Sequence, residues 1–115
     1  MSTSGLEYAQ HILDEARYLI ERTSGVSKAT FLQDETLKRA CVRSLEVIGE
    51  AATRLPAGIK QQYPQVEWRA IAGMRDRLIH GYFGIDYDIV WDAIVEKVPE
   101  LAETVERIIQ QAGSR

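Results

Sequence analysis

The chemically active side chains of this chain are concentrated between Arg75 and Tyr82. His80 can accept and donate a proton near neutral pH, because histidine ordinarily titrates between pH 5 and 8. Arg75 and Arg77 carry fixed forks of N–H donors that match phosphate oxygens, and Asp76 separates them. Such a set suits cleavage of a phosphodiester bond without a metal, in which the imidazole moves protons and a guanidinium holds the charge that develops on the phosphate.

Helical geometry limits how these groups can act together. A five-residue step along an α-helix turns by about 140°, so Arg75 and His80 would lie on different faces, whereas Arg77 and His80 would share one. Arg75 can work with His80 only if the helix ends near them or a second subunit completes the site. The spacing also allows a purely structural interpretation, in which solvated arginines precede a histidine favoured at a helix C-terminus by the dipole.

The first half of the chain is predicted to form two long helices. Apolar residues recur at steps of three and four, and a capping box that begins at Ser4 opens a helix to about Arg22. Residues 23–27 form a turn, and a second helix runs from about Phe31 until Pro56 stops it. The apolar stripe of this second helix comprises Leu37, Cys41, Leu45, Ile48, Ala52 and Leu55.

The second half continues the helical pattern. A shorter helix is predicted from about Val66 to His80, and a last one starts at Asp86 or Asp88. Pro99 lies inside this last stretch and should kink or restart it. The chain shows no alternating strand pattern, so we predict an all-α, up-and-down bundle of four to five helices in a single domain of 115 residues.

Composition narrows the class of protein. The chain has 14 Lys and Arg against 17 Asp and Glu, a net charge of -3 that argues against a general nucleic-acid binder. The single cysteine, Cys41, excludes an internal disulfide, and no Cys/His cluster suggests a zinc site. Without an apolar run of about 20 residues or a signal peptide, we expect a soluble cytoplasmic protein.

The charge is unevenly distributed. Residues 1–53 carry six basic and eight acidic side chains, a net of -2, and residues 82–115 carry three and seven, a net of -4. Residues 54–81 carry five basic and two acidic side chains, a net of +3. A role on RNA would therefore depend on this segment, although paired surface charges are the ordinary alternative.

Other residues invite two interpretations each. Arg39, Arg43, Glu46, Glu50 and Arg54 line one face of the second helix, as a salt-bridged outer face or as a polar wall beside a site. Cys41 is expected in the core and His11 at the surface or between helices. Trp68 and Trp91 are expected to anchor the core or a dimer, and Phe83 or Tyr87 could stack on an RNA base.

The spacing Arg75-x4-His80-x-Tyr82 resembles the RX4HXY motif of the HepT-like branch of the HEPN proteins (higher eukaryote and prokaryote nucleotide-binding domains). Asp76 departs from the pattern, since many relatives carry asparagine there. Further phrases agree in order along nearly the whole chain: Phe31-Leu-Gln-Asp34, Ile48-Gly-Glu-Ala-Ala52, Trp68-Arg-Ala-Ile-Ala-Gly-Met-Arg75, Leu78-Ile-His-Gly-Tyr-Phe-Gly-Ile-Asp86, Val90-Trp91 and Pro99-Glu-Leu101.

The resemblance implies a homodimer in which two motifs face each other across a cleft. It implies the toxin of a bacterial or archaeal toxin–antitoxin pair, a metal-independent RNA endonuclease that uses no cofactor. Its antitoxin would be a minimal nucleotidyltransferase of the MntA type, which transfers AMP to Tyr82. Arg75 would hold the scissile phosphate and His80 would move protons.

The remaining motif residues have less defined parts in this interpretation. Asp76, Arg77, Glu50 and Arg43 are candidates for supporting roles, and Asp34 matches a family phrase without an assigned role. Two other functions stay open at this point. One is a non-catalytic module that binds a nucleotide or substrate for a nucleotidyltransferase, and the other is a structural helical dimer that retains the motif for folding.

Overall fold

The main apolar stripes of the sequence become three long helices in the computed structural model, which describes residues 3–78 and 84–113. These are α1 (Thr3–Thr23), α3 (Glu35–Arg54) and α8 (Val98–Gly113). Helix α1 packs against both of the others, and Ile12, Leu45 and Val105 are fully buried between them. Stripes spaced by three and four residues bury one face of each helix and leave the other to water. The described residues contain no strand, which confirms the all-α prediction.

Some predictions concern residues that the structure does not describe. One is the capping box, because the side chain of Ser4 lies outside the described part of the chain. Others concern residues 79–83, which include His80, Tyr82 and Phe83. Their flanking residues are described, and the candidate site is therefore built from these flanks.

The chain turns sharply at Asp34, between α3 and a short helix α2 (Lys28–Gln33). The prediction of one continuous helix from Phe31 is therefore wrong at its start. The Asp34 carboxylate accepts a hydrogen bond from the Leu37 backbone N–H at 3.0 Å, and its own N–H donates to the Phe31 carbonyl at 3.1 Å. An aspartate that caps a helix adopts an extended backbone, which ends the helix before it.

Pro56 ends α3 as predicted, but the chain re-enters a helix at once in α4 (Ala57–Gln62). A proline suits the start of a helix, because the first N–H groups of a helix lack partners inside it. Lys60 on α4 donates its Nζ to the Ala52 carbonyl at 3.0 Å. This carbonyl also accepts the Leu55 N–H at 3.3 Å, and the second donor places a positive charge at the C-terminus of α3, where the helix dipole favours it.

The predicted helix from Val66 to His80 is instead two short helices, α5 (Trp68–Ala72) and α6 (Met74–Leu78). Gly73 separates them with a ψ of 8°, and its carbonyl accepts the N–H groups of Asp76 and Arg77 at 3.1 and 3.3 Å. This ψ departs from the helical value of about -42°, so the helical backbone is interrupted there. The buried Trp68 donates its indole N–H to the Tyr63 carbonyl at 3.0 Å and holds the start of α5.

The last stretch begins with α7 (Tyr87–Asp92), for which Asp86 rather than Asp88 is the N-cap. A π-helical turn (Ala93–Lys97) joins it to α8, and the Val98 N–H donates to the carbonyl of Ala93, five residues earlier. Pro99, two residues into α8, cannot donate an N–H and its ring would clash with the carbonyl four residues before it. The wider π turn relieves that conflict, so the helix restarts at Val98 as one of the two predicted outcomes.

The described residues contain no helix long and apolar enough to cross a membrane.

Cys41 lies in the core, as predicted, with none of its surface exposed. Burial raises the pKa of its thiol to about 11, and the Asp34 carboxylate adds to that rise. We expect native protein at pH 8 to resist a thiol-specific aromatic disulfide reagent, because the thiolate is the reactive form and is scarce. In denaturant the same thiol should react fully, and absorbance of the released chromophore measures both rates. Complete labelling of the native protein within minutes would contradict this account.

Candidate active site

Helix α6 presents its charges to solvent and its apolar residues to the core. Met74 and Leu78, four residues apart, are 8% and 1% exposed and fix which face of the helix is buried. Arg75, Asp76 and Arg77 lie between them in sequence and are all exposed. The sequence-predicted arginines therefore stand at the surface, where a phosphate could reach them.

Neither arginine of α6 forms an ion pair with any residue in 3–78 or 84–113. Arginines elsewhere do, since Arg54 pairs with Glu50 at 3.0 Å and Arg107 with Glu103 at 2.8 Å. The guanidinium N–H groups of α6 are consequently not occupied by a described carboxylate. This availability is what the proposed phosphate-binding role requires.

A backbone hydrogen bond joins the two sides of the motif. The Asp86 N–H donates to the Leu78 carbonyl at 3.0 Å, which links the end of α6 to the start of α7. The Asp86 carboxylate also accepts the N–H groups of Asp88 and Ile89 at 3.1 and 3.2 Å. Leu78 and Asp86, which flank the part of the motif outside the described ranges, are therefore adjacent in the fold.

Gly49 on α3 sets how closely α5 approaches the core. A Cβ atom at this position would lie 3.1 Å from the Ile71 carbonyl oxygen and 3.6 Å from that of Ala72. The first distance is shorter than ordinary van der Waals contact, so a side chain would force the two backbones apart. Gly49 therefore allows the close packing of α5 against α3, one residue before α6 begins.

The other polar residues predicted for the site have contacts of their own. Glu50 accepts hydrogen bonds from Arg54, four residues later on the exposed face of α3, which is the salt-bridged interpretation of that face. Arg43 is exposed on the same helix. Asp34 has a structural role as the cap of α3. None of these three residues forms a hydrogen bond or ion pair with an arginine of α6.

Trp68, Trp91, Tyr87 and His11 all have neighbours within the fold. The rings of Trp91 and Phe31 lie 5.0 Å apart, and Trp68 is buried, so both tryptophans anchor the core. The ring of Tyr87 lies under the Lys38 ammonium group at 4.5 Å rather than being unpartnered. His11 is exposed on α1, with its ring edge against Tyr8.

Sequence reasoning missed Lys38, which is only 8% exposed. Its ammonium group donates to the Leu32 carbonyl at 3.0 Å and pairs with Glu35 at 2.9 Å. The signal was its position, because Lys38 precedes Cys41 by three residues and Leu45 by seven and so lies on the apolar stripe of α3. A lysine on that stripe is buried with its helix and must find polar partners there.

A cleft of about 290 Å³ lies between α5–α6 and the α7–α8 stretch. Its floor is apolar and includes Ile71, Met74 and Leu101. Four of its charged lining residues are acidic and two are basic: Glu67, Asp92, Glu96 and Glu100 against Arg77 and Lys97. The excess of carboxylates makes the cleft unfavourable for a nucleic acid.

The described residues contain no group of three or more His, Cys, Asp or Glu side chains placed to hold a metal ion.

Comparison with known proteins identifies the family. The model of the family described as "Ribonuclease HepT-like" matches residues 12–108. A protein of Caldanaerobacter subterraneus subsp. tengcongensis, named as a candidate RNase, is 49% identical over 90% of this chain and 93% of its own length. A probable ribonuclease HepT of Thermococcus cleftensis is 35% identical over 94% of this chain and 98% of its own. No solved structure matches the chain.

The matched range covers α2 to α7 completely and includes every residue singled out above for the site except His11. The relative that is 49% identical also matches over nearly its full length and is itself named as a candidate RNase. The chain therefore belongs to the HepT-like ribonuclease family.

Proposed function

We propose that this protein is the toxin of a toxin–antitoxin pair and a metal-independent RNA endonuclease. Arg75 binds the scissile phosphate, His80 transfers protons, and a homodimer brings two copies of the motif to one cleft. A minimal nucleotidyltransferase of the MntA type neutralises the toxin by transferring AMP to Tyr82. The observation that carries the proposal is the family match across residues 12–108, which contain the whole RX4HXY motif.

The chemistry follows from the residue types. The RNA 2′-hydroxyl attacks the adjacent phosphorus atom and loses its proton to an imidazole acting as general base. The bond from phosphorus to the 5′-oxygen breaks, and that oxygen takes a proton from a general acid. The products are a 2′,3′-cyclic phosphate and a 5′-hydroxyl, and the Arg75 guanidinium balances the extra negative charge on the phosphate during the transfer.

A dimer supplies what one chain lacks. One motif offers a single histidine, whereas the reaction needs a base on one side of the phosphorus atom and an acid on the other. Two motifs facing each other would provide both. They would also combine two segments of net +3, residues 54–81 of each chain, while the remaining surface stays acidic. RNA would then be held by a few local phosphate contacts.

The test is cleavage of a labelled RNA by purified protein in the presence of a metal chelator. We expect cleavage with cyclic phosphate ends, and a loss of about 10²–10³-fold in rate for Arg75→Ala, the size found for removal of a group that stabilises transition-state charge. Arg69→Ala is the matched control, because Arg69 is also an exposed arginine of the basic segment. Its rate should stay within about threefold, the effect of one weak phosphate contact.

The alternative functions give different results in the same assay. A binding module would retain RNA or nucleotide on a filter without cutting RNA, and a structural dimer would do neither. Equal rates for Arg75→Ala and Arg69→Ala would contradict the assigned site while leaving a ribonuclease in place. Expression of the chain alone in cells should arrest growth. Arrest that is lost in Arg75→Ala but kept in Arg69→Ala would indicate catalysis, and arrest that survives both substitutions would indicate binding.

Tyr82→Phe is expected to abolish neutralisation without abolishing cleavage. In the proposed reaction the Tyr82 hydroxyl attacks the α-phosphorus of ATP, a tyrosyl–AMP phosphodiester forms, and pyrophosphate leaves. The added anion would compete with RNA for the guanidinium of Arg75 and would block the cleft sterically. Intact-mass spectrometry after incubation with the nucleotidyltransferase and ATP measures the transfer, and Tyr87→Phe is the nearby control. AMP addition to Tyr82→Phe at the normal rate would show that another residue is modified.

A further inference from the structure

Lys38 is a buried cation with three partners, all of them at the corner where α2 meets α3 and α7. Its side chain is 10% exposed, while that of Glu35, its ionic partner, is 67% exposed. The ammonium group donates to the Leu32 carbonyl at 3.0 Å and lies 4.5 Å from the centre of the Tyr87 ring. A buried ammonium group is stable only when such partners surround it, and together they fix its position.

Tyr87, one of the three partners of Lys38, is connected to the helix of Arg75 through Asp86. Tyr87 is the first residue of α7, and its neighbour Asp86 caps that helix through two backbone N–H groups. The Asp86 N–H in turn donates to the Leu78 carbonyl, the last residue of α6. A displacement of Tyr87 would therefore move its neighbour Asp86 and strain the hydrogen bond that ties Asp86 to the helix of Arg75.

Two further contacts hold α7 against the same corner. Lys28 pairs with Asp88 at 2.9 Å on the surface, and the Phe31 ring packs against Trp91 in the core. We call these two contacts and the pairing of Lys38 with Tyr87 the α7 brace. The Lys28 pair is solvent-exposed and therefore weak, and the Phe31 contact is apolar and non-directional. Only Lys38 combines burial with directed hydrogen bonds.

We infer that Lys38 is a positioning residue for the proposed ribonuclease site, because it sets the location of Tyr87 and Asp86 and thereby of the hydrogen bond that ties the start of α7 to the helix of Arg75. This inference rests on the proposed function. An apolar residue at position 38 would fill the same space and keep the stripe of α3 continuous. It would not fix the Tyr87 ring relative to the Leu32 carbonyl. The substitution would therefore lower the activity of the site more than the stability of the fold.

Lys38→Met and Lys60→Met test this role as a matched pair. Each removes an ammonium group that donates to a backbone carbonyl at 3.0 Å, but Lys60 lies on α4 and contacts the end of α3. For Lys38→Met we expect a fall in kcat of about 10–100-fold with KM within about twofold, as for a small misplacement of a catalytic group. Lys60→Met should keep kcat within about threefold, the limit for a site that the change does not touch. Lys38→Arg, which retains the charge and the stacking, should recover most of the lost kcat.

Hydrogen exchange gives a second measurement that does not depend on activity. The Asp86 amide should exchange at least about tenfold faster in Lys38→Met than in Lys60→Met, because its bond to the Leu78 carbonyl opens more often. Equal exchange in the two variants, or faster exchange without a fall in kcat, would overturn the inference. If the unmodified protein cleaves no RNA, the proposed function fails, and the exchange comparison alone then decides whether the brace exists. Both measurements use conditions in which thermal unfolding shows every variant fully folded.

Discussion

Replacement of His80 by alanine is expected to slow RNA cleavage by about 10²–10⁴-fold, the usual contribution of a positioned proton-transfer group. The reaction must remove a proton from the 2′-hydroxyl and deliver one to the leaving oxygen, and water performs both steps poorly. The rate should be measured under single-turnover conditions with protein in excess, so that product release does not hide the chemical step. RNA binding by the variant should change little, since in the proposed mechanism arginine makes the phosphate contacts.

His11→Ala is the control for this experiment. The chain has only two histidines, and His11 is exposed on α1 with its ring against Tyr8. Its removal should leave the rate within about twofold, because substitutions distant from a site act independently of it. A His80→Ala variant that cleaves at the full rate would remove the imidazole from the mechanism. A variant that no longer binds RNA would instead indicate a loss of local structure.

The largest expected effect on stability is for Phe31→Ala, with a loss of about 3–5 kcal/mol in the free energy of unfolding. Phe31 is fully buried in α2, and its ring contacts Trp91 on α7 at a centroid distance of 5.0 Å and an angle of 40°. A helix as short as α2 has little stability of its own, so its attachment depends on this side chain. Small domains are stable by only about 5–15 kcal/mol, so the loss is a large fraction of the total.

Urea unfolding followed by circular dichroism measures this loss, and two variants calibrate it. Phe31→Leu should cost clearly less, because a smaller cavity remains. Gln33→Ala, an exposed change on the same helix, should stay within about 0.5 kcal/mol. A cost below about 1 kcal/mol for Phe31→Ala would mean that the corner of α2 and α7 repacks without this ring. In that case the α7 brace would depend on Lys38 and Lys28 alone.

The helix predictions succeeded and failed because they rested on the spacing of apolar residues. Apolar periodicity predicted α1 and the end of α3 well, since burial of a stripe determines which residues face the core. It could not detect the break at Asp34, where the apolar pattern continues across a capping residue. It also joined α5 to α6 across Gly73, because a one-residue break leaves the spacing of apolar residues along the chain unaltered.

The residues of the candidate site were recognisable in the sequence, whereas their role stays a prediction. The motif from Arg75 to Tyr82 was visible as residue types and spacing, and exposure of Arg75 agrees with a role in phosphate binding. The relation of Arg75 to His80 stays a prediction, because the structure describes α6 to Leu78 and residues 79–83 lie outside the described ranges. Glu50 and Asp34 were visible as well, but their partners, Arg54 and the Leu37 N–H, could be identified only from contacts.

The sequence by itself determined the helical class, the family, the motif and the basic segment at residues 54–81. These properties depend on residue type and on spacing along the chain, and the amino-acid sequence contains both. Only the tertiary structure decided that Lys38 is buried under Tyr87, that Gly49 lets α5 approach α3, and that Asp86 is tied to Leu78. These contacts join residues on different helices, and local periodicity shows which face of a helix is buried but not which neighbour covers it.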